Sequence, residues 1–320
     1  MSIVFGPVPS RRLGRSLGIN NIPHKSCSYS CLYCQVGATH KQTISRRSFY
    51  TPQDIFQAVK EKLCQLESTD ETVDYLTFVP DGEPTLDINL AKSIELLRPL
   101  KIPIAVISNA SLLWNEDVRM DLSTADWVSV KIDSVNENIW QEINQPHAAL
   151  RLDQVLEGIQ QFALHYEGHL VSETMLLQDV NDSSNHLQDI ADFLSELHLD
   201  RAYLGIPTRP TAQHGIQGPD EAVLNRAYQI FSEKIQNVEF LIGYEGDAFS
   251  LTGNVRDDLL SITSVHPMRD SAVISLLNRA GADRSVLDSM LQEGLLKRVR
   301  YLDNDYFVRT FRHQKQAHDR

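Results

Sequence analysis

Cysteine is scarce, with four residues in a chain of 320. That is too few, in too long a chain, for the disulfide framework of a small secreted domain. No apolar run approaches the roughly 18 residues that a membrane-spanning helix needs. The first twelve residues hold no apolar signal segment ahead of Arg11 and Arg12, so the expectation is a cytoplasmic chain without membrane contact. Low-complexity tracts, short repeats and Gly/Ser linkers are also missing, so the elements must pack against one another. Acidic residues are absent from positions 1–50, which carry seven Lys/Arg. Positions 51–267 carry thirteen Lys/Arg against thirty-five Asp/Glu, and 268–320 carry ten against seven. The net charge of −12 therefore joins a basic N-terminal part to an acidic body. An acidic body argues against non-specific nucleic-acid binding. The basic part either draws an anionic substrate or offsets negative charge beside it.

What is present is dominated by Cys27-Ser28-Tyr29-Ser30-Cys31-Leu32-Tyr33-Cys34. Three thiolates spaced C-x3-C-x2-C on one short loop can hold three irons of a 4Fe-4S cube and leave the fourth open. An open iron can take a small molecule through an amine and a carboxylate. Structural zinc is the competing reading and needs a fourth Cys or His; His24 and His40 flank the loop, so composition leaves it open. Cys64, on a predicted helix, is expected to be a small buried side chain rather than a ligand. With Tyr33 just before its last cysteine, the loop resembles the signature of the radical S-adenosylmethionine (SAM) superfamily. This resemblance implies Cys27, Cys31 and Cys34 as ligands of a 4Fe-4S cluster, SAM on the open iron, and an electron donor such as flavodoxin or ferredoxin.

Extended and helical signals then alternate, which predicts βα units on a parallel sheet. Strands are expected at Leu17–Ile22, Val73–Val79, Ile104–Ser108, Trp127–Ile132, Leu170–Leu176 and Arg201–Ile206, each apolar enough to be covered on both faces. Helices are expected at Pro52–Leu66, Ile88–Leu97, Asn115–Leu122, Leu152–His165, Ser184–His198 and Pro219–Ile235. The fold class is therefore α/β: a partial (βα)6 TIM-like barrel over residues 1–255, with chemistry at the C-terminal ends of its strands. From Ile262 the pattern changes to two short helices, one through Val273–Ala280 and one over Arg284–Glu293. A hairpin of Lys297–Tyr301 and Tyr306–Thr310 follows. Residues 256–320 thus read as a small winged-helix-like α+β domain, able to enter a nucleic-acid groove or simply to dock on a neighbour.

Polar residues gather where the strands end. Asp81-Gly82-Glu83-Pro84 follows the second, where a glycine allows close backbone approach and Glu83 or nearby carbonyls can accept from an ammonium. A plain turn explains the run as well. The resemblance places here a Gly-Gly-Glu-like element that receives the methionine amino group, with Asp81 replacing the first glycine. Ser108 and Asn109 end the third strand and can meet a carboxylate or ribose. Lys131 and Asp133 share a side of the fourth, either as an ion pair or as catalytic groups. Glu173 and Asn181 are candidates for adenosine, although Asn181 also suits a helix start. Arg209 can clamp a carboxylate or phosphate, as can Arg11 and Arg12, or it can serve a proline-flanked turn.

Longer runs narrow the resemblance. Phe5 to Gly18, Pro23-His24-Lys25, Gly82-Glu83-Pro84-Thr85-Leu86, Asn144-Gln145-Pro146-His147, Pro207-Thr208-Arg209-Pro210 and Val265-His266-Pro267-Met268-Arg269 resemble the wyosine-synthase-like branch. The branch implies reductive cleavage of SAM to a 5′-deoxyadenosyl radical that abstracts hydrogen from a substrate. A true wyosine synthase holds a second cluster, and only Cys64 remains here to ligate one, so a single-cluster member is expected. Its substrate is open between a tRNA or other RNA base and a metabolite, peptide or protein. A different class also stays open, an iron–sulfur redox sensor that binds nucleic acid.

Overall fold

The computed structural model describes residues 3–67, 71–242, 254–265, 267–301 and 304–310. One eight-stranded sheet runs in sequence order: β1 (Val4–Ser10), β2 (Gly14–Ile19), β3 (Tyr75–Phe78), β4 (Ile104–Ser108), β5 (Trp127–Lys131), β6 (His169–Met175), β7 (Arg201–Gly205) and β8 (Val238–Leu241). β1 is antiparallel to β2, and every later neighbour is parallel. The helices between the parallel strands are α1 (Pro52–Glu67), α2 (Leu90–Leu97), α3 (Glu116–Leu122), α4 (Glu137–Asn144), α5 (Leu152–His165), α6 (Ser184–Ser195) and α7 (Glu221–Ser232). The six expected βα units are there, with β1 and β8 added at the sheet's two edges.

Alternation along the strands explains the layering. Leu76, Phe78, Ile104, Val106, Val128 and Val130 are fully buried and belong to the main core. Their neighbours face the concave side. There Ala105, Trp127, Val171 and Tyr203 pack with Leu13 into a small separate core. Beside this core the same face becomes polar, and Ser16 Oγ lies 2.7 Å from Thr77 Oγ1. The helix starts follow local chemistry. Thr51 and Asp54 exchange backbone-to-side-chain hydrogen bonds ahead of α1, a reciprocal capping box. Ser183 caps α6 by accepting from His186 N.

The C-terminal part holds α8 (Val255–Val265), β9 (Met268–Arg269), α9 (Asp270–Arg279), α10 (Ser285–Gln292), β10 (Leu296–Tyr301) and β11 (Asn304–Arg309). Its sheet order is β10-β11-β9, and Leu259, Ile262, Val273, Leu276, Met290 and Phe307 form its own core. Between the two hairpin strands Asp303 lies outside the described residues, while Asn304 and Asp305 open β11. Val8 of β1 packs on this second core, and Lys62 and Asp258 approach to 3.8 Å. Tyr301 donates to Pro207 O at 3.2 Å. The tail therefore rests on β1, on α1 and on the loop after β7. Among the described residues no helix is long and apolar enough to cross a membrane.

Candidate functional site

A cavity of about 330 Å³ opens at the C-terminal ends of the strands. Cys27, Cys31 and Cys34 all line it, each a free and half-buried thiol. The loop that carries them is gripped from several sides. Ser30 N donates to Asn144 O and Gln145 O, and Leu32 N donates to Ile143 O, so the carbonyl end of α4 holds the loop backbone. Ser28 O accepts from His147 N, and Cys27 O accepts from Thr43 N. Tyr29 meets Trp140 of α4 edge-on at 5.9 Å and accepts from its Nε1. α4 was not expected from the sequence, yet it is the loop's main support.

Burial pushes the Cys27 thiol up to about 12 and raises Cys31 as well. A positive metal centre is what brings such sulfurs to thiolate, so uptake of metal releases protons. The donor set fits an iron–sulfur cluster: three sulfurs on one cavity, with space left beside them. Among the described residues no three His, Cys, Asp or Glu side chains, the three cysteines included, stand close enough to hold a single metal ion. His24, a candidate zinc ligand, instead places Nδ1 2.8 Å from Asp81 Oδ2. Cys64 is exposed rather than buried, because the buried stripe of α1 runs through Ile55, Val59 and Leu66 and leaves it to one side.

The remaining sequence candidates divide between the cavity wall and its scaffold. Gly82 is on the wall; a Cβ there would sit 1.9 Å from Ser26 O, so only glycine lets the two loops touch. Glu83 is fully buried and its carboxylate is occupied. Oε1 accepts from Thr85 N, Thr85 Oγ1 and Ser108 Oγ, and Oε2 from Asn109 N. Pro84 opens the short 3-10 turn that Glu83 caps, and its carbonyl accepts from Asn21 Nδ2. Ser108 and Asn109 line the cavity. Asp81, one residue before Gly82, also lines it, and its Oδ1 is buried with no hydrogen-bond partner.

Lys131 and Asp133 do not pair directly. Lys131 Nζ lies 3.5 Å from Glu173 Oε2 and 5.6 Å from the centre of the Tyr33 ring. Burial alone would lower the Lys131 ammonium, but Glu173 and Asp133 outweigh it and hold its pKa above the ordinary value. Lys131 faces the cavity as a cation, not as a free amine. Asp133 is turned inward and accepts from Tyr33 OH, Asn144 Nδ2 and Met175 N. Glu173 lines the cavity, where it accepts from Arg12 and from Ser129 Oγ. Burial raises its acid, yet Arg12 and Lys131 together bring it down to about 2. Asn181 is fully buried away from the wall, with Nδ2 donating to Asp133 O and Met175 O. Arg11, Arg12 and Arg209 are on the wall, Arg11 donating to Ile242 O and Arg209 to Gln35 Oε1. Lys25 is there too and was not expected. Its Nζ lies 3.5 Å from Cys34 Sγ and also donates to Gly37 O.

The family model described as Radical SAM superfamily matches residues 21–194. The chain belongs to the radical SAM superfamily. It is 47% identical over 314 residues to the UPF0026 protein of Methanocaldococcus jannaschii, covering 98% of this chain and 97% of the relative. Its fold is similar to that of SuiB from Streptococcus suis bound to SAM, with a TM-score of 0.52 at 16% identity over 71% of this chain and 51% of SuiB. A TYW1 structure with a lysine–pyruvate adduct bound gives a TM-score of 0.51 at 14% identity, over 68% of this chain and 73% of TYW1. Radical SAM membership implies an enzyme with a 4Fe-4S cluster, bound SAM and a supply of electrons.

Proposed function

We propose that this radical SAM protein is a single-cluster member of the wyosine-synthase-like branch that abstracts hydrogen from an anionic substrate. Cys27, Cys31 and Cys34 would hold a 4Fe-4S cluster, which would supply the electron for reductive cleavage of SAM to methionine and a 5′-deoxyadenosyl radical. The observation that carries the proposal is the shared wall: three cysteines and five cations, Arg11, Arg12, Lys25, Lys131 and Arg209, face one cavity with only Asp81 and Glu173 as acids among the described residues. The polypeptide binds, orients and keeps water out; the radical reactivity belongs to the cofactor.

Asp81 and the backbone around Gly82 are the acceptors for the methionine ammonium, since both oxygens of Glu83 are already taken by Thr85, Ser108 and Asn109. Glu173, held ionised by Arg12 and Lys131, serves the ribose hydroxyls. Lys131 acts as a carboxylate- or phosphate-binding cation, in contrast to the lysine adduct of TYW1. Arg11, Arg12 and Arg209 receive the substrate's negative charge. The phosphates that flank a tRNA or other RNA base fit these cations; a charged metabolite, peptide or protein is the alternative. The order helix, strand, helix, helix, strand, strand supports a winged-helix tail over residues 256–320. Lys297, Arg298 and Arg300 are exposed on its β10, although Arg298 and Arg300 also meet Asp305.

Anaerobic reconstitution followed by one-electron reduction with dithionite in the presence of SAM tests the proposal. Brown absorbance and release of 5′-deoxyadenosine are both expected from the parent, and neither from Cys31→Ala. A reduced, iron-loaded parent that never cleaves SAM sinks it.

A further inference from the structure

Each of the three cysteine sulfurs has one side-chain N–H donor, and the donors come from three separate parts of the chain. Asn109 Nδ2 lies 3.6 Å from Cys27 Sγ, Asn144 Nδ2 3.4 Å from Cys31 Sγ, and Lys25 Nζ 3.5 Å from Cys34 Sγ. Sulfur contacts are longer than those to oxygen because the atom is larger, and these distances suit N–H···S bonds. Every donor is aimed by a second contact. Asn109 Nδ2 also donates to Ser28 Oγ at 3.0 Å, while its Oδ1 accepts from Ser111 N, which fixes which end of the amide faces the sulfur. Asn144 Nδ2 also donates to Asp133 Oδ2 at 2.7 Å, so the NH2 end is again the one turned inward. Lys25 has a left-handed backbone with φ of 59°, and its ammonium is tethered to Gly37 O.

Asn144 belongs to the Asn144-Gln145-Pro146-His147 run, which has no place in SAM or substrate binding. The structure gives the run a task. Its backbone grips Ser28 and Ser30, and its first side chain reaches the middle cysteine.

Hydrogen bonds to ligating sulfur stabilise the extra negative charge of a reduced cluster and raise its potential. We propose that Lys25, Asn109 and Asn144 set the electron affinity of the cluster, one donor to each ligand sulfur, so that the reduced state is reached by the electron donor. They are positioning residues and touch neither SAM nor substrate in this role. The proposal rests on the reading that the three cysteines hold a 4Fe-4S cluster. The step is one-electron reduction of that cluster by a low-potential donor, with no bond made and no proton moved.

The test is a redox titration of the reconstituted full-length protein, followed by electron paramagnetic resonance, for the parent and for Lys25→Met, Asn109→Ala and Asn144→Ala. At a fixed potential each variant should show a reduced-to-oxidised ratio about threefold to tenfold below the parent. Tenfold corresponds to 59 mV for a one-electron couple. Lys25→Gln, which keeps a donor without the charge, should lie between Lys25→Met and the parent. The parent labelled with ¹⁵N-asparagine supplies a readout that needs no variant to assemble: a ¹⁵N hyperfine coupling to the reduced cluster is expected. A parent that binds no iron and sulfide overturns the cluster reading and this proposal with it. A loaded parent without that coupling, or variants that all titrate within about twofold of it, leaves the cluster reading standing and overturns the donor assignment.

Discussion

The Tyr306 hydroxyl donates to Thr208 O across 2.8 Å, tying β11 of the C-terminal part to the loop that carries Arg209. The same hydroxyl accepts from Arg269 Nε at 3.0 Å, and the ring is 1% exposed. Tyr306→Phe keeps the packing and removes both bonds. We expect a loss of about 2–4 kcal/mol in stability, about 1 for the neutral bond and the rest for the bond to the guanidinium. Hydrogen exchange over residues 206–210 should quicken at the same time. Unfolding curves and exchange mass spectrometry read the two effects, and an unchanged exchange pattern would show that the loop does not depend on the tail.

Gly82 sits where two loops meet, and a single methyl tests how closely. Gly82→Ala must drive Ser26 O away, because the nearest heavy atom to the added carbon is backbone at 1.9 Å. Ser26 precedes Cys27 and its carbonyl also accepts from Glu83 N at 3.0 Å. The strain therefore passes into the cysteine loop. Reconstituted Gly82→Ala should hold well under half the iron of the parent while its far-ultraviolet circular dichroism stays the same. Full iron loading would contradict the close approach.

Which parts of this architecture the sequence announced follows from physical range. Strands β2 to β7 were legible because a strand covered on both faces is a short apolar run, as Ile104–Ser108 is. β1 was missed: Gly6, Pro7 and Pro9 interrupt it, which an edge strand tolerates. β8 has only four residues. α4 had a usable signal, with Asn136 capping it and Ile139, Trp140 and Ile143 on one face, but its polar surroundings hid it. The cysteine spacing pointed to the loop whose three sulfurs line the cavity. The roles of Glu83, Asp133 and Asn144 did not show, because each depends on partners that only folding supplies; Asn144 and Cys31 are 113 residues apart.

Glu173 gives the site an acid dependence with a defined sign. Burial pushes its acid up, and Arg12 and Lys131 more than reverse this, to about 2 in the folded chain. An unfolded glutamate titrates near 4.3, so between those values the unfolded chain takes up a proton that the folded chain refuses. The stability that ionised Glu173 contributes is complete above about pH 5 and is lost as the pH falls towards 2, up to about 3 kcal/mol. Glu173→Gln should flatten this part of the stability curve. Asp87 works with the opposite sign in a higher window: burial raises it to about 6, so stability rises as pH falls through that value. Denaturant unfolding of the metal-free chain at intervals between pH 7 and 3 separates the two; a parent and a Glu173→Gln variant with parallel curves below pH 5 would refute the assignment.

Asp81 and Glu83 give opposite expectations although they are two residues apart. Asp81 Oδ2 takes His24 Nδ1, while Oδ1 is buried on the cavity wall with no hydrogen-bond partner. Glu83 accepts from Thr85, Ser108 and Asn109 and does not reach the wall. Asp81→Asn preserves shape and removes the charge that would meet an ammonium. Affinity for SAM should fall about tenfold or more, in line with the loss of a charge-assisted bond, while the melting temperature changes little. Glu83→Gln instead sets an NH2 group against donors that need an acceptor. It should lower the melting temperature by several degrees, with the loss of SAM binding no larger than the loss of folded protein. Equilibrium binding of SAM to reconstituted protein, read beside thermal unfolding, decides between them. A stable Glu83→Gln that no longer binds SAM, with Asp81→Asn binding as the parent does, would return the ammonium to Glu83.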